Sequence, residues 1–393
     1  MQNGPEILVV NTHPIQYFAP LYRHIGQNTD MCLTAIYIDD FGFKETWDEE
    51  FQKSFNWDID LRSGFSSVVL NNYNSNAQRN KFWYGWSLEC FCLVHRSKAS
   101  LVWLHGYNNV NFFIAWIAAI LSRKKIALRG ESNNFLIKTR LHRFFVKPIL
   151  KIWFKSIDYF FAIGSANSDY YVTMGVEKKK IIRMPYCIDN SRFMIQGRRD
   201  VSCLNQSRAW SNIDDDTVII VMSSKFIPRK NILAGLEIYS QLERDGFNTA
   251  LLIIGDGPLR DQIETFIRQN ALATVILAGF INQSEIANLF RISDIFWHFG
   301  KQEPWGLVVN EAAAAGLPLI VERTVGSAQD LVVDGVTGFQ VDSDNRQAVY
   351  EVSMRLVLDG AERRRLGSNA RQVVLEHFSF EVCAAGLKRI VHA

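Results

Sequence analysis

The chain has 393 residues, of which 48% are hydrophobic and 21% are charged, and its formal net charge is +3. This length favours two globular domains, each large enough to bury its own core. The small net charge gives no reason to expect nucleic acid as a partner.

The cysteines and the apolar runs indicate the compartment. Six cysteines are scattered without a C-x-x-C pair, which predicts neither a zinc site nor a disulfide framework and favours a reducing compartment. The first residues, M-Q-N-G-P-E, lack the basic region of a signal peptide. The longest nearly apolar run, Val110–Leu121, is shorter than the ~20 residues that cross a bilayer. We therefore expect a cytoplasmic protein.

Apolar runs alternate with helical stretches in the first half of the chain. The first run, Ile7–Val10, is followed by a loop and by a helix predicted at Tyr17–Ile25. Alternating strands and helices predict a parallel sheet with helices on both faces. The other predicted strands are Leu33–Ile38, Ser67–Leu70, Ser100–Leu104, Lys125–Leu128 and Ile157–Ile163.

Polar residues stand where several of these strands end. They are His13, His105 and the pair Arg129 and Glu131. Ligands of parallel sheets contact the loops that leave the carboxyl ends of the strands. A single histidine at such a position is more often structural, whereas three polar clusters at successive strand ends favour a cleft.

The segment Lys138–Ser156 has a cation at every third or fourth position and apolar residues between them. This pattern predicts a basic amphipathic helix, with Pro148 as the point at which it would bend. Two interpretations remain open. The cations form a solvated face on a core-packed helix, or the helix lies on anionic lipid with Phe144, Phe145 and Trp153 among the headgroups. The cations are Arg140, Arg143, Lys147, Lys151 and Lys155.

A second series of strands and helices follows the polar, turn-rich stretch Asp189–Asp216, which is the predicted interdomain linker. The last segment, Arg346–Ala393, is expected to end in a helix that packs back on the first domain. The expected divisions are 1–195, 196–372 and, for the returning helix, 373–393. The predicted strands of the second series are Thr217–Met222, Ala250–Ile254, Thr274–Ala278, Asp294–Trp297 and Pro318–Val321.

Two lysines flank a proline turn directly after the first strand of this series. Lys225 and Lys230 stand in S-S-K-F-I-P-R-K-N. Two cations at the carboxyl end of a strand would neutralise a diphosphate. The alternative is a solvated turn, which their placement opposite a helix N-terminus makes the weaker interpretation.

The stretch Gln302–Pro318 reads Q-E-P-W-G-L-V-V-N-E-A-A-A-A-G-L-P and supplies that helix. Alanines favour a helix and the following Gly and Pro stop it, so Leu307–Ala315 is predicted to be helical. Gly306 leaves the first backbone N–H groups uncovered, which suits an anion. Glu303 in the loop and Glu311 in the second turn could bind sugar hydroxyls. A capped amphipathic helix with two surface acids is the alternative.

These motifs resemble those of the retaining glycosyltransferases of family 4, and the resemblance covers nearly the whole chain. E-P-W-G-L-V-V-N-E-A-A-A-A-G-L-P is similar to the E-x7-E motif of that family, and K-F-I-P-R-K-N to its phosphate-binding turn. The N-terminal T-H-P-I-Q-Y-F-A-P-L resembles a subgroup with an H-P-I-Q-Y motif. The family has the GT-B fold, so the resemblance implies two Rossmann-like parallel-sheet domains that face each other across a cleft.

The resemblance implies that the C-terminal domain binds the donor diphosphate. Lys225 and Lys230 would hold it, helped by the backbone N–H groups of Leu307 and Val308 after Gly306. Lys225 stands where the family more often has Arg, so it keeps the charge but lacks the bidentate fork.

The rest of the donor and the acceptor are assigned in the same way. Glu311 would accept hydrogen bonds from the ribose, Phe280 and Ile281 would read the base through their backbone, and Glu303 would contact the transferred sugar. The residues expected to be catalytic are Glu303, His105 and Lys230. The acceptor-side residues of the N-terminal domain are expected to be His13, Gln16, Tyr17, Arg129 and Glu131.

By this resemblance the chain is expected to be a retaining hexosyl- or N-acetylhexosaminyltransferase. It would move a sugar from a UDP- or GDP-sugar to a glycan, lipid-linked or small-molecule acceptor, with no cofactor and no metal, because cations and a helix dipole neutralise the leaving group. It could work at the inner face of the membrane through its basic helix. A nucleotide-sugar epimerase or phosphorylase of the same fold, and a non-catalytic sugar-nucleotide-binding subunit, are the alternatives.

Overall fold

A computed structural model describes residues 4–71, 81–136, 142–194 and 213–392, without the side chains of His142 and Arg143. The chain forms two compact units. Unit 1 contains residues 1–46, 55–188 and 379–393, and unit 2 contains residues 47–54 and 189–378.

Unit 1 is built on a seven-stranded parallel sheet. Its strands are β1 (Glu6–Asn11), β2 (Cys32–Tyr37), β5 (Ser66–Val69), β6 (Leu101–Leu104), β7 (Lys125–Leu128), β8 (Tyr159–Ala162) and β9 (Ile181–Arg183). They lie in the order β5-β2-β1-β6-β7-β8-β9. The remaining strands of this half, β3 (Thr46–Asp48) and β4 (Lys53–Phe55), form a separate two-stranded sheet. The helices are α1 (Phe18–Asn28), α2 (Leu88–Arg96), α3 (Val110–Leu121), α4 (Lys147–Phe154), α5 (Ser165–Thr173) and, from the end of the chain, α13 (Phe380–Val391).

Unit 2 has a six-stranded parallel sheet in the order β12-β11-β10-β13-β14-β15. Its strands are β10 (Val218–Ser223), β11 (Thr249–Ile254), β12 (Val275–Gly279), β13 (Ile295–His298), β14 (Leu319–Glu322) and β15 (Gly338–Val341). Its helices are α6 (Ile232–Arg244), α7 (Arg260–Gln269), α8 (Ile286–Arg291), α9 (Leu307–Ala315), α10 (Ala328–Leu331), α11 (Arg346–Leu358) and α12 (Gly360–His377).

The sheets form because their central strands are apolar along their whole length. In β1, Val9 and Val10 are fully buried, and in β10 so are Ile219, Ile220 and Val221. Such runs bury both faces of a strand, which requires helices above and below a parallel sheet. The α/β class with two parallel sheets is therefore confirmed.

The strand order reverses once in each sheet, between β1 and β6 in unit 1 and between β10 and β13 in unit 2. Loops that leave neighbouring strands in opposite directions open a crevice at the carboxyl ends, where ligands of such sheets bind. The sequence missed the strands β9 and β15, which are short, and the small sheet of β3 and β4.

The unit boundaries fall at other residues than the sequence indicated. The structure divides the chain after Ile188 and after Phe378, and it places residues 47–54 in unit 2. A boundary at 372 would cut α12, a continuous helix that packs on α9 of unit 2. The next helix, α13, contacts α1 and β9 of unit 1. Residues 195–212 of the predicted linker lie outside the described part of the chain.

Candidate functional site

The loops after β10 and β13 meet at the point of unit 2 where the strand order reverses. The first contains Lys225 and Lys230, and the second contains Glu303. A hydrogen bond from the backbone N–H of Lys301 to the carbonyl of Arg229, at 2.8 Å, joins the two loops. The sheet thereby brings together residues that are 73 positions apart in the chain.

A buried carboxylate lies between a lysine and a histidine. Lys230 Nζ donates a hydrogen bond to Glu303 Oε1, and both side chains are only 10% exposed. His298 Nε2 lies 2.6 Å from the other carboxylate oxygen. Burial by itself would raise the pKa of Glu303, but the charges of His298 and Lys230 and their hydrogen bonds together hold that pKa below its ordinary value. Glu303 is therefore ionised at neutral pH.

Two local features make this arrangement possible. Gly300 leaves room for the carboxylate, because a Cβ there would lie 2.8 Å from Glu303 Oε2. His298 is the last residue of β13, so it emerges at the carboxyl end of the sheet. His298 was not among the residues predicted from the sequence. Its only signal was a histidine that ends the apolar run I-F-W-H.

The helix predicted at Leu307–Ala315 is confirmed, residue for residue, as α9. It begins after Gly306, whose φ of +88° is in the left-handed region, and no side chain caps it. A Cβ at position 306 would lie 2.9 Å from Val325 Cγ1. The first N–H groups of a helix have no partner within it. Those of Leu307 and Val308 are therefore suited to an anion.

A second polar group lies beside the start of α9. Ser327 is fully buried, and its Oγ has no hydrogen-bond partner among the described residues. This oxygen would lie 3.6 Å from a Cβ at Gly306. An unsatisfied buried hydroxyl next to an uncapped helix start is consistent with a polar ligand there, because buried polar groups normally have partners.

The other predicted donor residues lie around this centre in unit 2. Glu311 is in the second turn of α9 and is 2% exposed. Phe280 and Ile281 directly follow β12 and are half-buried. The ring of Phe280 is in contact with that of Phe51, with 5.0 Å between the centroids.

Lys225 forms ion pairs with two acidic side chains. Its Nζ lies 3.2 Å from Asp48 Oδ2 and 2.8 Å from Glu50 Oε2. These acids were not among the residues predicted from the sequence, although they stand in the acidic run W-D-E-E-F. Two carboxylates thus pair with one of the cations that the sequence assigned to a diphosphate.

In unit 1, His105 follows β6 and is hydrogen-bonded to a tyrosine. Tyr22 Oη lies 2.9 Å from His105 Nε2, and the side-chain amide of Asn11 donates to the same hydroxyl. Burial and, after it, the charge of Arg129 hold the pKa of His105 well below its ordinary value. The imidazole is consequently neutral at pH 7.

Arg129 and Glu131 follow β7 and are connected through one tyrosine. The Arg129 side chain is buried, donates to the carbonyl of Met184 at 3.1 Å, and lies 4.6 Å from the ring centroid of Tyr186. The hydroxyl of Tyr186 donates to Glu131. Burial, followed by the charge of Glu131, raises the pKa of Tyr186 well above its ordinary value, so the hydroxyl remains a donor.

The third predicted cluster of unit 1 follows β1. His13 Nδ1 lies 2.9 Å from Thr12 Oγ1, and its ring packs edge-on against Phe41. Gln16 and Tyr17 are half-buried in the turn before α1. These residues follow β1 and His105 follows β6, so the structure puts both groups at the reversal of strand order in the sheet of unit 1.

The described part of the chain contains no group of three His, Cys, Asp or Glu side chains arranged to hold a metal ion. Within the same residues, no helix has the length and apolar character needed to span a bilayer.

Comparison with known proteins finds a family match in the second half of the chain. Residues 205–373 match the family described as Glycosyl transferases group 1. Two curated relatives are the GDP-mannose-dependent alpha-mannosyltransferase of Mycolicibacterium smegmatis and the capsular polysaccharide biosynthesis glycosyltransferase CapM of Staphylococcus aureus. The first is 30% identical over 45% of this chain and 43% of its own length. The second is 27% identical over 75% of this chain and 77% of its own length.

The similarity of fold extends over nearly the whole chain. HepE of Anabaena, solved in complex with UDP, has a TM-score of 0.73 and 15% identity, with 98% of this chain and 99% of that chain covered. The GT-B fold expected from the sequence is therefore confirmed. The matches to three further curated relatives span less than two thirds of those proteins, namely 62%, 45% and 52% of their lengths.

Proposed function

We propose that the chain is a retaining glycosyltransferase that uses a nucleotide diphosphate sugar as donor. The observation that carries the proposal is the meeting of Lys230, the ionised Glu303 and the uncapped start of α9 at the strand-order reversal of a Glycosyl transferases group 1 domain. A cation and free helix N–H groups stabilise a departing diphosphate, which is the charge that develops during sugar transfer. In this proposal they take the place of a metal ion.

The donor lies along unit 2 in this proposal. Lys225 and Lys230 bind the diphosphate together with the first N–H groups of α9, and Glu311 accepts hydrogen bonds from the ribose. Glu303, held ionised beside Lys230, accepts hydrogen bonds from the transferred sugar. A fixed carboxylate next to the reacting sugar favours an oxocarbenium-like transition state.

The base is read by the backbone around Phe280 and Ile281. Both UDP and GDP donors are consistent with the comparisons, because HepE was solved with UDP and the mycobacterial relative is named for GDP-mannose. The transferred group is proposed to be a hexose or an N-acetylhexosamine.

The acceptor is assigned to unit 1, beside the ends of β1, β6 and β7. His13, Gln16 and Tyr17 line the loop after β1, and Arg129 and Glu131 follow β7. The neutral imidazole of His105 can donate or accept a hydrogen bond without carrying charge, which suits a position beside the transferred sugar.

An exposed apolar surface on unit 1 supports attachment of the protein to an anionic membrane. Among the described residues of 144–154, four large apolar side chains are at least 64% exposed: Phe144, Phe145, Ile149 and Ile152. Trp153, which the lipid interpretation placed among the headgroups, is instead buried, because it packs on Phe113 and Trp116 of α3.

The neighbouring helix enlarges this surface. Ile117, Ile120 and Leu121 of α3 are 45 to 63% exposed, and Trp116 Nε1 donates to Ser156 just after α4. We call these three residues and the four exposed apolar ones of 144–154 the apolar patch. Lys151 and Lys155 beside it are exposed, and Lys147 is half-buried. Exposed apolar side chains next to cations are the pattern of a surface that lies on anionic lipid.

The helix itself differs from the prediction. Residues 142–146 are π-helical and the α-helix begins at Lys147, with Pro148 in its first turn, where proline is tolerated. Of the predicted cations, Arg140 lies outside the described residues, and the side chain of Arg143 is likewise not described. The membrane proposal therefore depends on the three lysines.

A donor panel tests the proposed function. UDP-, GDP- and ADP-sugars are each assayed for thermal stabilisation of the protein and for release of the nucleoside diphosphate. We expect one base to stabilise the wild type, and its sugar to be hydrolysed slowly. Release of free epimerised donor would instead indicate an epimerase, phosphate-dependent cleavage a phosphorylase, and binding without turnover with any acceptor a non-catalytic subunit.

A further inference from the structure

Residues 47–54 come from the first half of the sequence but belong to unit 2. Four of their side chains, those of Asp48, Glu50, Phe51 and Lys53, contact or approach two loops of that unit. These are the loops that the proposed function assigns to the donor, the turn with Lys225 and the loop after β12.

Two acidic residues of this segment form ion pairs with Lys225. Lys225 Nζ lies 3.2 Å from Asp48 Oδ2 and 2.8 Å from Glu50 Oε2. Arg229 Nη2, in the same turn, is 3.9 Å from Glu50 Oε1. The side chains of Lys225 and Asp48 are 24% and 15% exposed, so the contact is partly shielded from water. Two carboxylates around one ammonium resemble the charge of a diphosphate.

An aromatic residue of the segment, Phe51, packs on the loop after β12, which the proposed function assigns to the base. The ring of Phe51 is 5.0 Å from that of Phe280, and Lys225 Nζ is 4.5 Å from the centroid of Phe51. Lys53 Nζ is 5.6 Å from the centroid of Phe280. Beside them is a cavity of about 320 Å³, lined in part by Phe51, Lys53 and Asp256. An aromatic ring thus lies where the proposed function needs a planar base.

The segment is held in one shape. Asp48 Oδ1 accepts hydrogen bonds from the backbone N–H groups of Glu50 and Phe51, each at 2.9 Å. The carbonyl of Glu50 packs so closely on Gly257 that a Cβ there would lie 2.7 Å from it. Gly257 also has a φ of +147°, which side-chain-bearing residues rarely adopt. The fit of segment and glycine indicates a specific docked conformation.

We propose that residues 47–54 are an internal competitor of the donor, with the carboxylates of Asp48 and Glu50 in place of its phosphates and the ring of Phe51 in place of its base. The inference rests on the proposed function, because it uses the donor assignment of Lys225 and Phe280. The donor must displace the segment, so its measured dissociation constant exceeds the intrinsic one by the reciprocal of the undocked fraction.

A double variant tests the competition directly. Asp48→Asn with Glu50→Gln removes both charges, while the side-chain amide oxygen that replaces the carboxylate at position 48 can still accept the two backbone hydrogen bonds. The probes are UDP and GDP without a sugar, titrated by calorimetry. We expect the dissociation constant of the nucleotide that binds to fall by about three- to tenfold, as expected for the loss of partly shielded ion pairs.

A matched control separates competition from the general electrostatic effect of removing two negative charges. Glu45→Gln with Glu49→Gln removes two charges from exposed side chains in and beside the same segment. The dissociation constant of the nucleotide from this control variant should stay within about twofold of the wild-type value. Equal tightening in both double variants would overturn the inference, and so would unchanged or weaker binding by the first, since the carboxylates would then merely position Lys225.

Hydrogen exchange on the unmodified protein gives a second readout. Saturating UDP or GDP should speed exchange of the Glu50 and Phe51 amides, because the turn that Asp48 closes can open once the segment has left the donor loops. Slower exchange would overturn the inference, since the segment would then close over the nucleotide. If neither nucleotide binds any variant, the proposed function fails and the inference fails with it. If a nucleotide binds the wild type and binds the first double variant equally tightly, the inference fails and the proposed function stands.

Discussion

Lys230 and Glu303 form a buried ion pair that joins the two loops at the strand-order reversal of unit 2. A buried pair costs desolvation energy, and stability alone is a weak reason for it. His298 completes the arrangement by holding the second carboxylate oxygen. The pair is better explained as a preorganised cation and anion, the first for a diphosphate and the second for sugar hydroxyls.

Lys230→Met should abolish most donor turnover, because it removes the charge that stabilises the departing diphosphate. The expected cost is on the order of 2–4 kcal/mol in the transition state. Lys301→Met is a matched control, since Lys301 lies in the neighbouring loop and pairs with Asp344. Steady-state rates of donor hydrolysis check the prediction. A loss smaller than about tenfold, or ~1.4 kcal/mol, would contradict the assignment.

The two glutamates should affect the kinetics differently. Glu311→Ala is expected to weaken donor binding and raise KM, because this helix residue is assigned to the ribose. Glu303→Gln is expected to lower kcat more than it raises KM, because this loop residue is assigned to the reacting sugar. The measurement is kcat and KM for both variants with the donor identified by the panel. The reverse pattern would exchange the two roles.

The ionised Glu303 should also contribute to stability in a pH-dependent way. Its pKa is lower in the folded protein than the ordinary value of ~4.3, so its contribution is present above that value and is lost as pH falls toward the folded pKa. Glu303→Gln should therefore cost about 3–5 kcal/mol of unfolding free energy at pH 7. The difference from wild type should shrink below pH ~4.3.

Urea unfolding of both proteins between neutral and acid pH measures this difference. Glu49→Gln, which changes an exposed acid, serves as the control and should show little difference from wild type at any pH. A wild-type advantage that stays constant as the pH falls would show that the charge of Glu303 is not responsible.

Membrane attachment should require the lysines beside the apolar patch. Each cation near an anionic surface contributes ~1 kcal/mol, so replacing Lys147, Lys151 and Lys155 by Glu should release the protein from anionic vesicles. Flotation with anionic and with neutral liposomes, at low and high salt, measures binding. We expect binding to anionic vesicles that fades with salt.

The control for that experiment changes three lysines elsewhere on unit 1. Lys98, Lys178 and Lys179 are exposed, and their replacement by Glu alters the net charge equally. Loss of flotation in both triple variants would indicate a general charge effect. If wild type floats with neither vesicle, the membrane proposal is wrong and a soluble acceptor becomes the better hypothesis.

The sequence alone determined the features that depend on a few neighbouring residues. The bounds of α9 follow from the glycines at its two ends, Gly306 and Gly316, both with positive φ, and from the alanines between them. The parallel sheets follow from buried apolar runs separated by helices. Local backbone preference and periodicity act over one element, so one element's sequence suffices to predict it.

Only the tertiary structure decided which distant groups meet. Asp48 and Lys225 are 177 positions apart, and no local pattern pairs them. The same holds for the burial of Trp153 beside an exposed Ile152, because α3 covers only one side of α4. Such contacts depend on how whole elements pack, and packing depends on surfaces that become neighbours only when the chain has folded.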